Sequence, residues 1–449
     1  MTTAISPDLL PLTAEDGPSG LSVGGVPLAE LGRRFGTPLF VYDEEHLRQR
    51  CREAITAFGP GNVAYASKAF LCTAMARLAH EEGLLLDVAS GGELRVALHA
   101  GVPGDRIVVH GNNKDDGELL AAAAAGVRHI VVDSFDEMDR IERLHATAGI
   151  APVPVVLRVA PGVAAGDHEA IRTGGTDSKF GFGLATGDAA AAVRRARKSA
   201  AMVLAGVHAH VGSQVLDATR LADGAAAVAR FAVGAGVDGL TVGGGLGVAY
   251  EAGQTVPSFA DWATRVRAAA RDAGWRGEIT VEPGRSVTAR AGLTLYRVGT
   301  IKRIKGIRTY VGVDGGMSDN LRPALYAGRY EAFLPRAPHA PRPLRARVVG
   351  KHCESGDVII DDAALPADLR VSDLLATPVT GAYGYAMASN YNKLPRPAVV
   401  FVRDGDARLV VRRETWDDLL RLDVPGPGPG AAGDHRADLA TGRHPATAQ

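Results

Sequence analysis

The run Asn62-Val63-Ala64-Tyr65-Ala66-Ser67-Lys68-Ala69 is strand-like and delivers a lysine at its end, just before a helix-like segment begins. A strand end opens onto whatever site lies at that edge of a sheet. A lysine amine shielded from water there can form a Schiff base with a carbonyl compound or a bound aldehyde. A lone lysine at a strand end is more often simply solvated, so the case for chemistry rests on what accompanies it.

In Val207-His208-Ala209-His210-Val211-Gly212-Ser213 two histidines stand two apart on a strand and face the same side. Such a pair can hold a divalent metal, but only with further ligands, and no matching His and Asp stand at later strand ends. The plainer reading leaves one histidine merely packed or hydrogen-bonded, His208 before His210. Val242-Gly243-Gly244-Gly245-Leu246-Gly247 offers bare backbone N–H groups to an anion, in the loop position where barrels cradle phosphate. It opens no early βαβ unit, so it is not a dinucleotide fingerprint. Glu282-Pro283-Gly284-Arg285 follows. A carboxylate facing a pyridine nitrogen keeps that nitrogen protonated and the ring electron-poor; the alternative is an exposed Glu282–Arg285 ion pair. Further on, Cys353 is flanked by the ionisable Lys351, His352 and Glu354, a setting that favours a reactive thiol. Gly381-Ala382-Tyr383 and the polar loop from Asp314 to Tyr326, with Asn320 and Arg322, read singly as turns.

These residues need elements to hold them. Apolar strands are predicted at 62–66, 84–89, 107–111, 129–134, 154–160, 205–212, 240–244 and 278–282, separated by helix-like stretches such as 119–125, 137–146 and 259–273. Short, nearly continuous apolar strands joined by helices require a parallel sheet buried on both faces. The expected fold is therefore α/β, a (β/α)8 TIM-like barrel rather than an open doubly wound sheet. After Gly284 the pattern changes to strands without helices, at 293–304, 309–314, 344–350, 357–360, 374–379, 397–402 and 408–412, which predicts a C-terminal all-β domain. The strand at 38–42 precedes the barrel and is expected to pair with that domain. The organisation expected is an N-terminal segment, 1–43, a barrel, 44–284, a β domain, 285–424, and a Pro/Gly/Ala-rich disordered tail, 425–449.

At 449 residues the chain is long enough for two cores. Fifty basic and fifty acidic residues cancel, which gives no electrostatic case for nucleic acid or an acidic membrane as partner. No apolar run approaches the roughly 20 residues of a membrane span, and the polar, acidic start lacks the pattern of a signal peptide, so a cytoplasmic location is expected. Three cysteines argue against a disulfide framework, with Cys51 and Cys72 expected as small buried hydrophobes.

Taken together, these segments resemble the diaminopimelate decarboxylase family, pyridoxal phosphate (PLP) enzymes of alanine-racemase-like fold that form lysine from meso-diaminopimelate. The resemblance runs from about Pro38 to Leu422. It rests on Tyr65-Ala66-Ser67-Lys68-Ala69, Asp87-Val88-Ala89-Ser90-Gly91-Gly92-Glu93-Leu94, Ser178-Lys179-Phe180-Gly181, His210-Val211-Gly212-Ser213-Gln214, the glycine turn, Glu282-Pro283-Gly284-Arg285, Cys353-Glu354-Ser355-Gly356-Asp357 and Gly381-Ala382-Tyr383. It implies that Lys68 carries PLP, that His210 stacks on its ring and that Glu282 faces its nitrogen. Ser213, Gly244, Gly245 and the backbone of Glu282, Pro283, Gly284 and Arg285 would hold the phosphate, with help from Tyr383. Arg285, Arg322, Tyr326, Glu354 and Tyr383 would bind the amino-acid substrate. Cys353, reaching in from the neighbouring subunit of a homodimer with shared active sites, would donate a proton. No metal is implied. Lys351-His352 departs from the Gly-Pro type of turn more usual before that cysteine.

Charge narrows the substrate. Diaminopimelate carries an amino-acid head at its far end; arginines such as Arg285 and Arg322 suit the distal carboxylate and Glu354 the distal ammonium. The similar ornithine decarboxylases carry Asp after the cysteine. Two alternatives stand beside this reading: a PLP decarboxylase for another basic or dicarboxylic amino acid, and a non-catalytic regulatory protein on the same fold. The second would be expected to lack Lys68 or Cys353, and both are present.

Overall fold

The computed structural model describes residues 4–162 and 177–424; the expected tail, 425–449, lies outside them. Strands Ala64–Ala66, Leu85–Val88, Ile107–Val109, His129–Val132, Val153–Ala160, Met202–His208 and Leu240–Thr241 pair in chain order, all parallel. Helices between them bury one face each. Several begin on side-chain caps that the sequence supplies: Asp43 for Glu44–Phe58, Ser90 for Gly91–His99, Ser134 for Phe135–Ala148, and capping boxes at Asp115 and Ser258.

The strand expected at 278–282 is not a regular strand. Isolated bridges join Thr280 to Thr241 and Val281 to Val63. Through them the chain closes the barrel, with Val281 N–H donating to Asn62 and Val242 N–H to Thr280. The ladder is short because its neighbour Leu240–Thr241 is only two residues long and gives way to the glycine turn. The sixth strand likewise ends at His208, so His210 lies beyond it and not on it.

The second unit is an eight-stranded sheet in which Gly292–Ile304 is the long central strand. Leu39–Asp43 does join this sheet, antiparallel to Gly292–Ile304 and parallel to Ala398–Arg403. Its alternation explains how the two units are fused. Phe40 and Tyr42 belong to the barrel's apolar cluster, while Leu39 and Val41 belong to that of the β unit. Ala398–Arg403 does the same, sending Val399 and Phe401 one way and Val400 and Val402 the other. Each of these buried side chains contributes on the order of 2 kcal/mol through burial, so barrel and β unit share their cores. A small sheet, Glu15–Gly17, Gly20–Val23 and Val26–Pro27, and the helix Leu28–Phe35 precede this strand and were not expected.

Candidate active site

The C-terminal ends of the barrel strands open onto a cavity of about 350 Å³ lined by Lys68, His210, Ser213, Gly244, Gly245, Glu282, Gly284, Arg285, Tyr326 and Tyr383. A larger cavity, about 1180 Å³, lies beside Val358–Leu365 and contains none of them. Lys68 sits in a single 3-10 turn, Ser67–Ala69, after strand Ala64–Ala66. Its two neighbours are buried while its own side chain lines the cavity. The floor beneath it is firm: Tyr42 stacks on Phe70 at 4.2 Å, and Tyr383 N–H donates to Ala69 O at 2.8 Å.

Glu282 stands on the neighbouring segment, where Ala66 N–H donates to Pro283 O at 3.1 Å; it is 7% exposed, and not the solvent ion pair with Arg285 that its spacing allows. Each of its oxygens meets one imidazole: Oε1 lies 2.9 Å from His110 Nε2 and Oε2 lies 2.9 Å from His208 Nε2. Burial alone would raise its pKa, but the two imidazoles outweigh burial and hold the carboxyl well below the usual range. Burial, opposed by Glu282, brings His208 down to about 4, so it stays neutral and donates Nε2–H. His110 goes the other way. Burial lowers it, yet Asp87, 3.8 Å away, and Glu282 raise it above the ordinary histidine value. His208 is thus the packed and hydrogen-bonded histidine of the plainer reading, and its partner is the central carboxylate. Among the described residues His110, His208 and Glu282 are also the group whose ligand atoms, within 4.8 Å of one another, could hold a metal. Their nitrogens already face the carboxylate oxygens, the arrangement that fixes an anion in place.

His210 is set by a different bond. Gly244 N–H donates to its Nδ1 at 3.2 Å, so Nδ1 carries no proton. Burial, then Lys68 and Arg158, push its pKa well below the usual value, which agrees with a neutral ring. The glycines here are required. A Cβ on Gly244 would lie 2.2 Å from the Glu282 carbonyl oxygen, and Gly245 has φ +107°, in the region that favours glycine. The turn therefore packs bare backbone against strand end 282–284 at the cavity wall.

Arg285 starts the short helix Arg285–Thr288 and spans the wall: Nη2 donates to Ser213 Oγ at 3.1 Å and Nη1 to Tyr250 OH at 2.6 Å. Its guanidinium lies 4.7 Å over the Tyr383 ring. With Arg285 filling one lone pair of Ser213, the serine's own O–H remains directed elsewhere, which suits an anion. Arg322 lines an adjoining cavity of about 500 Å³ that shares Arg285 and Tyr326. It sits 4.2 Å over the Tyr250 ring and donates to Tyr330 OH at 2.5 Å. Burial disfavours its charge, but Tyr250 and Tyr330 outweigh that and hold its pKa above the ordinary value. The Nε–H of both arginines is buried without a hydrogen-bond partner, leaving two cationic donors at adjoining cavities.

Cys353 and Glu354 are not brought to this cavity. Both are exposed on the turn between Leu344–Val349 and Val358–Leu365, and Glu354 Oε1 accepts the N–H of Gly356 in its own turn. Several residues at the site were not foreseen: Asp87 in any role, His110, Arg158, Tyr250 and Tyr330. A signal existed for two. His110 directly follows an apolar strand, and Arg158 is a charge inside the apolar strand Val153–Ala160, where it lies 4.2 Å over Phe180 and 3.9 Å from Asp133.

A family model described as pyridoxal-dependent decarboxylase, pyridoxal binding domain, matches residues 44–289 and sets the class to which this fold and site correspond. The chain is 46% identical over 446 residues to the diaminopimelate decarboxylase of Mycobacterium tuberculosis, covering 94% of this chain and 98% of that protein. It is 44% identical over 422 residues to that of Bacillus subtilis, covering 90% and 95%. The crystal structure of diaminopimelate decarboxylase from M. jannaschii in complex with L-lysine matches with a TM-score of 0.85 at 32% identity, over 93% of this chain and 98% of that one. The chain belongs to the diaminopimelate decarboxylase family. Among the described residues no helix is long and apolar enough to cross a membrane.

Proposed function

We propose that this chain decarboxylates meso-2,6-diaminopimelate to L-lysine and CO2, the last step of lysine biosynthesis, with pyridoxal 5'-phosphate as cofactor. The observation that carries the reading is Glu282, an ionised carboxylate locked by two imidazoles in the cavity that Lys68 also lines. The residues fit the cofactor: an amine for its aldehyde, a carboxylate for its ring nitrogen, and bare glycine backbone, Ser213 and the backbone from Glu282 to Arg285 for its phosphate. When bound, PLP supplies an electron sink conjugated to the substrate's α-amine.

The protein's part is positional and electrostatic. Glu282 holds a proton on the ring nitrogen, and His110 and His208 keep Glu282 charged for that purpose. Lys68 would hold the cofactor through its amine. His210, neutral and fixed through Nδ1, would pack on the ring face. Arg285 and Arg322 receive the distal carboxylate, with Tyr326 and Tyr383 closing the wall. Once CO2 has left, Cα needs one proton on one face. Cys353 and Glu354 stand outside the cavity of their own chain, so we place them in that of a second copy, Cys353 as proton donor and Glu354 on the distal ammonium. The working enzyme is then a homodimer.

The test is to incubate the protein with PLP and meso-diaminopimelate and to measure CO2 and lysine. Equal amounts of both are expected, together with a visible absorbance band that Lys68→Ala abolishes. Absorbance without lysine would assign the site to another amino acid; absence of the band would remove the cofactor from the account.

A further inference from the structure

The turn that carries Cys353 is pinned by hydrogen bonds both within its own hairpin and from outside it. Asp357 accepts His352 N–H through Oδ2 at 2.8 Å and Met317 N–H through Oδ1 at 2.6 Å. His352 itself is buried, although Lys351, Cys353 and Glu354 around it are exposed. Asn392 Oδ1 accepts the Cys353 N–H at 3.1 Å and lies 3.2 Å from His352 Nδ1. An amide oxygen only accepts, so His352 must carry its proton on Nδ1. Its Nε2 is then a lone pair, and that is what Ser318 meets, with its hydroxyl at 2.8 Å and its N–H at 3.4 Å. A single neutral tautomer satisfies all these contacts. The Cys353 N–H also fixes the amide's orientation, because a flipped Asn392 would set donor against donor. Asn392 has φ 52°, a left-handed conformation that asparagine adopts more readily than most residues, and the His352 ring stacks on neighbouring Tyr391 at 5.1 Å.

We propose that His352 and Asn392 are positioning residues for the Cys353 thiol, the imidazole orienting the amide and the amide fixing the backbone N–H of the cysteine. The inference rests on the reading of Cys353 as proton donor. Proton delivery demands placement, and an exposed turn without these bonds would leave the thiol a spread of positions.

The test uses the PLP-loaded full-length enzyme. Asn392→Gly keeps the left-handed backbone and removes the carbonyl; His352→Phe keeps a ring on Tyr391 and removes both nitrogens; His352→Asn restores a donor where Nδ1 stood. The expected result is a fall in kcat of about tenfold or more in the first two, with KM within about twofold and recovery of most of kcat in His352→Asn. A second readout needs no turnover. Cys51 and Cys72 are buried, so iodoacetamide alkylation followed by mass spectrometry reports Cys353. L-lysine should slow that alkylation in the wild type and in His352→Asn, and far less in Asn392→Gly and His352→Phe. Wild-type kcat and wild-type protection in Asn392→Gly would overturn the proposal, provided Cys353→Ala is impaired. Full lysine formation by Cys353→Ala would instead overturn the reading of the thiol on which it rests.

Discussion

His110 Nε2 lies 2.9 Å from Glu282 Oε1, and with His208 on the other oxygen this makes an anion of a carboxylate that water scarcely reaches. On the proposed reading that charge would face the protonated ring nitrogen of the cofactor. Glu282→Gln keeps the shape and two hydrogen-bonding atoms but cannot balance that proton. We expect kcat to fall by on the order of 10²-fold or more, while the visible band of the bound cofactor persists because Lys68 is intact. Steady-state kinetics beside an absorbance spectrum decides it; an unchanged kcat would remove Glu282 from the chemistry.

Arg322 is held by aromatic faces and a phenol, and its Nε–H is without a hydrogen-bond partner. Lysine in its place keeps a charge but loses the planar fork that grips a carboxylate through two bonds. Arg322→Lys is expected to raise KM for meso-diaminopimelate by roughly 10- to 100-fold, the range of about 1.5–3 kcal/mol for hydrogen bonds to charged groups. Cofactor absorbance should not change. A KM equal to that of the wild type would place the distal carboxylate elsewhere.

Much of this site was legible in the sequence, and what was hidden has a common cause. Lys68, Glu282 and the glycine turn lie in short contiguous segments, each with a plainer reading when taken alone and pointing to one site only in combination, while the split into barrel and β unit shows in the change of pattern after Gly284. The strand at 38–42 was also within reach, placed with the β unit because it precedes the barrel, but that Phe40 and Tyr42 face the barrel core is seen only in the structure. Tyr250 and Tyr330 are separate in sequence and meet only in the folded chain, within the apolar cluster of the β unit, whereas His110 and Arg158 left a local signal. The closing segment shows why boundaries fail: Val281 has strand-like residues around it, yet its pairing is limited to isolated bridges by a two-residue neighbour and the glycines beyond. No local pattern carries that information.

If Cys353 acts across a dimer, two inactive variants should restore one another. Lys68→Ala subunits retain Cys353, and Cys353→Ala subunits retain Lys68. In a randomly exchanged equal mixture about half the dimers pair one of each, and one of the two sites in such a dimer has both native residues. About a quarter of wild-type activity is therefore expected after mixing under exchange conditions, and almost none before. Failure of the mixture to gain activity, with exchange shown by native mass spectrometry, would place the thiol and the amine in the same subunit or the thiol outside the reaction.

His46 should set part of the acid limit of the fold. Its Nδ1 accepts the Leu12 N–H at 3.1 Å, tying the N-terminal segment to helix Glu44–Phe58. Burial, then Arg290 and Arg50, bring its pKa down to about 3 from an ordinary value of 6.5. Because the folded value is the lower one, the unfolded chain takes up a proton that the native chain refuses once the pH drops below about 6.5. Stability from this group is complete above that pH and is lost as the pH falls toward about 3, at about 1.4 kcal/mol per unit. Between pH 6.5 and pH 5 the wild type should therefore lose about 2 kcal/mol through this residue. His46→Asn, which offers an uncharged acceptor near the same position, should not. Urea unfolding of both proteins across that range measures the difference, and parallel curves would show that His46 takes up its proton in the native state as readily as in the unfolded one.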